Sequence, residues 1–349
     1  MATLNTYTFF DASSLDFRPF ITGEYTPGLF NADTAFEVVL PAFTYRVFGV
    51  NFEYNSSGST VLRGTITDIE AIDAFGGGLK FDLSGISLSV GTLKRVAQTT
   101  TLDDDQNLIE GLFSGHDTLG AYTAATHRLS GYFGNDSIFA GGTGTDVFNG
   151  GAGIDTVFYL YAQSGVELNL VKGPQGGAAA GDTFISIERF VGTAYGDIMN
   201  GSTRNETFDG ADSRDILDGG AGNDSLTGGS GKDRLSGGEG RDTIVGGFGD
   251  DAIILIKSNF DEITGFQTTN DEIDLAKSEF PQLRETHDDL VTSMFRLGTA
   301  ARDADDFIIY DKITGRLFFD ADGLGGKPQK LIANFEDGTR LSHNDFDLF

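Results

Sequence analysis

Residues 192–254 read GTAYGDIMN GSTRNETFD GADSRDILD GGAGNDSLT GGSGKDRLS GGEGRDTIV GGFGDDAII, seven nonapeptides in a row. An acid holds the sixth place each time: Asp197, Glu206, Asp215, Asp224, Asp233, Asp242 and Asp251. An apolar residue holds the eighth: Met199, Phe208, Leu217, Leu226, Leu235, Ile244 and Ile253. A glycine-rich acidic stretch is also the composition of a disordered linker. Period separates the two readings, because a linker has no reason to keep a rhythm.

A looser block lies upstream. Asp117, Asp136, Asp146 and Asp155 take the acid place, and His127 stands where another acid is expected. The partners two residues on are Leu119, Leu129, Ile138, Phe148 and Val157. With 39% hydrophobic residues in the chain, an unbroken apolar set over both blocks arises by chance about once in 10⁵.

Each repeat reads as a glycine turn followed by a three-residue strand with one side chain inward. One repeat cannot bury that side chain. Two repeats make a coil with turns on opposite sides, and stacked coils build an inward apolar ladder. A turn then lies against the turn two repeats on. One flank stacks Asp197, Asp215, Asp233 and Asp251, and the other stacks Glu206, Asp224 and Asp242. Such columns repel unless a cation sits between turns. Carboxylates with backbone carbonyls form an all-oxygen shell that suits calcium better than magnesium, which keeps its waters and demands octahedral geometry.

The nonapeptides GGAGNDSLT, GGSGKDRLS, GGEGRDTIV and GGFGDDAII resemble the haemolysin-type calcium-binding repeats of the RTX proteins. The resemblance implies a right-handed parallel β-roll with several Ca²⁺ ions between stacked turns. The implied donors are Asp215, Asp224, Asp233, Asp242 and Asp251, with Asp136, Asp146 and Asp155 upstream. The carbonyls of Gly219, Ala221, Gly228, Ser230, Gly237 and Glu239 complete the set. Three turns depart from the pattern: Glu206 lacks flanking glycines, Asp197 follows Ala-Tyr-Gly, and His127 replaces an acid. The resemblance also implies export by a type I exporter and an extracellular location.

The expected fold is all-β, a β-roll solenoid between a β-rich N-terminal cap and a C-terminal region containing a β-hairpin. The segments are 1–112, β-rich; 113–158, first repeat block; 159–191, an insertion read as widened coils; 192–255, second block; and 256–349, a C-terminal cap with the export signal. The segment GDTFISIERFVGTAYGD resembles insertions between repeat blocks of secreted RTX proteins, mannuronan epimerase modules among them. A turn is expected at Asn55–Gly58 and a short helix at Asp103–Phe113. Phe307–Tyr310 and Arg316–Phe319 flank a hairpin turn. The ending Asp347-Leu348-Phe349 fits the acid-then-apolar end of an uncleaved export signal.

The chain carries 52 Asp and Glu against 24 Lys and Arg, a net charge of -28, and no Cys. That charge speaks against nucleic acid as a partner and against docking on anionic lipid. No apolar run long enough to insert in a membrane is present. Absence of Cys removes disulfides and thiol chemistry. The start, MATLNTYTFF, lacks the pattern of a cleaved signal.

Two function classes remain. One is a secreted calcium-binding structural or interaction protein, whose partners would be calcium and an extracellular polysaccharide or cell surface. The other is a secreted enzyme, hydrolase, lyase or epimerase-like, acting on an extracellular polymer from a site in or beside the N-terminal region. His116 and His127 could form a catalytic pair there, or could be ordinary substitutions in degenerate turns. No HExxH, nucleophile elbow or P-loop is found. The Asp320–Gly323 segment opens like an EF-hand loop, but Leu331 occupies the place of the bidentate Glu; an acidic hairpin end is the other reading.

Overall fold

The computed structural model describes residues 115–349, save 122–126, 172–173, 258–259 and 284–288. In the N-terminal region it describes the backbone of six strands: Thr3–Thr6, Glu24–Thr26, Ala35–Val39, Phe43–Tyr54, Val61–Asp73 and Leu79–Ser89. The expected turn at Asn55–Gly58 and helix at Asp103–Phe113 lie outside the described residues. Among the described residues there is no α-helix, only single 3₁₀ turns at Pro281–Leu283, Thr292–Met294 and His343–Asp345.

The chain divides into two compact units. The first comprises residues 1–162 and 180–188. Its strands Thr118–Ala121, Ser137–Ala140 and Thr156–Phe158 stack in parallel. Strands Arg128–Ser130, Val147–Asn149 and Thr183–Ile185 stack in parallel on the other face. The five strands from Glu24 to Ser89 form an antiparallel meander. Strand Thr3–Thr6 runs antiparallel to Leu79–Ser89 and parallel to Thr118–Ala121. The first coil's edge is therefore paired, not left as a template for another chain.

The second unit comprises residues 163–179 and 189–349. One face stacks Arg189–Val191, Thr207–Asp209, Ser225–Gly231, Thr243–Gly249 and Asp261–Thr264 in parallel. The other stacks Val166–Asn169, Ile198–Asn200, Ile216–Asp218, Arg234–Ser236, Ala252–Leu255 and Glu272–Leu275. Register keeps each inward residue over its equivalent: Met199, Leu217, Leu235 and Ile253 pair in turn, as do Phe208, Leu226 and Ile244. All are at most 1% exposed. This is an all-β parallel β-roll, forced by short strands that each have one side chain to bury.

The roll runs past the last glycine turn. Lys330–Phe335 stacks in parallel on Asp261–Thr264, and Phe346–Leu348 stacks on Glu272–Leu275. Phe335 and Phe346 thereby end the two inward ladders, over Ile263 and Ile273. The expected hairpin is present between Ile308–Asp311 and Arg316–Phe319, and Arg316–Phe319 pairs onward with Lys330–Phe335. The ending Asp347-Leu348-Phe349 is not a loose tail: Leu348 is 1% exposed, and the Phe349 carbonyl accepts from the Lys277 N–H.

Candidate metal centre

The acids of the turns form hydrogen-bonded columns. Each backbone N–H donates to a carboxylate oxygen of the coil that follows. Asp197 donates to Asp215, Asp215 to Asp233 and Asp233 to Asp251, each across 18 residues. On the opposite flank Glu206 donates to Asp224 and Asp224 to Asp242. The first unit repeats this with 19-residue coils, Asp117 to Asp136 to Asp155 on one flank and His127 to Asp146 on the other. Stacking of every second turn is thus the arrangement found.

Four column members lie outside the nonapeptide pattern and escaped the periodic reading. Asp182 accepts from Asp146 and Glu188 from Asp155. Asp261 accepts from Asp242 and Asp271 from Asp251. Their only local signal is an acid two residues before an apolar one: Phe184, Phe190, Ile263 and Ile273.

One oxygen of each acid is used in the column, and the other separates the turns into two kinds. Oδ2 of Asp136, Asp155, Asp215, Asp224, Asp233, Asp242 and Asp251 is buried and accepts no hydrogen bond. Every one of these side chains is at most 3% exposed. A buried, unpaired carboxylate oxygen is costly, so this repeated arrangement calls for a cation or a proton. Burial, then repulsion from neighbouring acids, raises these groups against the opposing N–H bonds: Asp215 to about 8, Asp136 and Asp224 to about 7, Asp233 to about 6.

Glycine at the first turn place makes the room. A Cβ at Gly228 would lie 2.5 Å from Asp233 Oδ2 and 2.5 Å from the Gly246 carbonyl oxygen. At Gly219 the same atom would meet Asp224 Oδ2 at 2.5 Å and the Gly237 oxygen at 2.7 Å. Carboxylate and stacked carbonyl oxygens thus crowd one glycine-walled space. At the third place, Ala221 pairs with Glu239, whose carbonyl accepts from the Gly222 N–H, and Asp212 pairs with Ser230. Among the described residues no three His, Cys, Asp or Glu side chains converge on one point. Any ion here must draw on backbone carbonyls as well as carboxylates, an oxygen shell that fits calcium.

The other turns are sealed by the protein itself. Asp197 accepts from the N–H and hydroxyl of Thr193. Glu206 accepts from the N–H and hydroxyl of Ser202. His127 is fully buried, and its Nδ1 lies 2.9 Å from Asp146 Oδ1, so the ring is part of the column and not a solvated substitute. Asp146 is therefore engaged by an imidazole, unlike Asp136 and Asp155. His116 sits on the Asp117 flank, bonded to Asn135. The two histidines occupy opposite flanks and form no pair. Beyond the hairpin, the Asp320 side chain accepts from the Asp322 N–H, and Asp322 accepts from Lys327.

The RTX calcium-binding nonapeptide repeat family matches residues 128–157, 191–226 and 227–255, in four copies. The chain carries RTX repeats, and the metal these repeats bind is calcium. Among solved structures, the extracellular lipase LipA from Serratia marcescens is similar at 15% identity and a TM-score of 0.27. The match covers 68% of this chain, which spans 39% of the lipase. No curated protein matches the sequence.

Proposed function

We propose that this is a secreted protein whose β-roll folds on binding extracellular calcium and then serves as a structural or interaction module. The observation that carries it is the set of seven buried carboxylate oxygens without a partner, stacked in columns against glycine-walled turns. Calcium would sit between adjacent open turns, namely Asp136 with Asp155, Asp215 with Asp233, Asp233 with Asp251, and Asp224 with Asp242. The carbonyls of Gly219, Ala221, Gly228, Ser230, Gly237 and Glu239 would complete the shells. Sites of extracellular grade bind at about 10⁻⁴–10⁻³ M. Such sites stay empty in a cytosol and fill outside, so folding would follow export.

Circular dichroism and thermal melting with calcium, and again with chelator, test this reading. Loss of β signal and a lower melting temperature in chelator are expected. Identical spectra and identical melting would overturn it. Export by a type I exporter is the matching route, with its information in 256–349. Fusing 256–349 to a passive reporter in cells bearing such an exporter should carry the reporter to the medium; retention inside would count against it. Fusion is a cleaner test than removing residues 300–349, because Lys330–Phe335 and Phe346–Leu348 close the roll. Among the described residues no helix is long and apolar enough to cross a membrane.

A further inference from the structure

The open and sealed turns differ at one backbone position, the residue four before the acid. In each of the seven open turns named above that residue has positive φ. It is Tyr132 at 65° before Asp136 and Ala211 at 74° before Asp215. It is a glycine between 89° and 110° before Asp155, Asp224, Asp233, Asp242 and Asp251. Before Asp197 and Glu206 it is Thr193 and Ser202, and neither has positive φ.

The consequence is visible in where the N–H of that residue goes. In two of the open turns it is directed away from the acid: Ala211 donates to Asp209 Oδ1 and Gly220 to Asp218 Oδ1, both at 3.1 Å. In sealed turns it donates to the acid itself, Thr193 to Asp197 Oδ2 at 2.7 Å and Ser202 to Glu206 Oε2 at 3.1 Å. The hydroxyls add bonds of 3.0 Å and 2.5 Å to the same carboxylates. At the far end of the roll Gln267 donates to Asp271 Oδ2 at 2.7 Å in the same way. Amide and hydroxyl hydrogens thus fill the carboxylate valences that a cation would otherwise take. A β-branched residue such as Thr193 is rarely found at positive φ, whereas glycine adopts either sign readily.

We propose that Thr193 and Ser202, each four residues before the acid, bar calcium from the turns of Asp197 and Glu206, whereas the positive-φ residue at that place leaves the turns of Asp215 through Asp251 open to it. This rests on the reading that the open turns bind calcium. The ion-dependent stretch of the second unit then runs from Gly210 to Asp251, with sealed turns on either side. Those sealed turns hold their carboxylates without an ion and supply formed edges on which the open coils can stack.

Native mass spectrometry or isothermal titration calorimetry on the full chain, counting calcium ions, tests the assignment. Glu206→Gln keeps one oxygen to accept from the Ser202 N–H, its amide N–H can donate to the Ser202 hydroxyl, and the count should stay as in the wild type. Asp224→Asn should lower it by at least one. Ser202→Gly combined with Glu206→Asp should raise it by one, by pairing the new open turn with that of Asp224. An ion lost in Glu206→Gln, or an unchanged count in the glycine variant once dichroism shows it folded, would overturn the proposal while leaving calcium binding intact. A wild type that binds no calcium would instead bring down the underlying reading and this one with it.

Discussion

At Gly228 the proposed calcium site depends on the absence of a side chain. The missing Cβ would fall 2.5 Å from two oxygens, one on Asp233 and one on the backbone of the next coil. Neither can retreat, since Asp233 Oδ1 is held by the Asp215 N–H and the backbone belongs to a stacked strand. Gly228→Ala should therefore lower calcium stoichiometry and cost about 2 kcal/mol or more, read as a fall in melting temperature of at least ~4 °C. The same carboxylates set a pH dependence. Burial, then neighbouring acids, raises Asp215 to about 8, Asp136 and Asp224 to about 7 and Asp233 to about 6, from 3.8. A raised folded-state pKa means that protons favour the folded form. That stability is full below about pH 4 and is lost as pH rises through 6 to 8. Decalcified protein should melt higher at pH 5 than at pH 8. With calcium the direction reverses, because the ion needs the ionised carboxylate; affinity should strengthen from pH 6 to 8 with release of protons. A calcium-free melting temperature that rises with pH would contradict this.

A strand of the roll has three residues and one buried side chain, so each element depends on its neighbours more than on itself. Leu235 is fully buried between Leu217 and Ile253, while Ile216 on the adjoining strand faces outward at 38% exposure. Leu235→Ala should cost ~2–5 kcal/mol by leaving a cavity in the ladder. Ile216→Ala should stay within about 0.5 kcal/mol. Chemical denaturation of both variants in saturating calcium measures the difference, and equal losses would refute the single inward ladder. The final strand, Phe346–Leu348, is equally structural. Phe346 covers Ile273 and packs its ring 5.7 Å from that of Phe295. Phe346→Ala should cost about 3–5 kcal/mol, with protection lost first at 272–275 in hydrogen exchange.

For the molecule as a whole, the charge of -28 opposes compaction, and calcium supplies the counter-charge. The load is uneven between the two units. The second holds five turns with an unpaired carboxylate oxygen, Asp215 through Asp251; among described residues the first holds those of Asp136 and Asp155. Each ion at a hundredfold its dissociation constant contributes about 2.7 kcal/mol. Chelation should thus raise hydrogen exchange across 210–255 more than across 128–158. Equal loss in both would mean that the ions are not apportioned as the open turns suggest.

The nonapeptide rhythm of residues 192–254 determined the roll, its two-turn coil and its inward ladder, because one buried side chain per nine residues admits few other packings. The hairpin at 308–319 was legible for a similar reason, two apolar runs around a turn. That the turns of Asp197 and Glu206 depart from the glycine pattern was legible in the sequence; what occupies each carboxylate was decided by the tertiary structure. Glu206 and Asp224 occupy the same place in the repeat, yet one is sealed by Ser202 and the other keeps a bare oxygen. Only the fold, likewise, joined Asp182, Glu188, Asp261 and Asp271 to the columns, and laid Lys330–Phe335 and Phe346–Leu348 as the closing coils. These depend on a dihedral angle and on contacts between residues far apart in the chain. The long-range contacts are not carried by a local pattern of residue types, since stacking across coils, not spacing along the chain, brings those elements together.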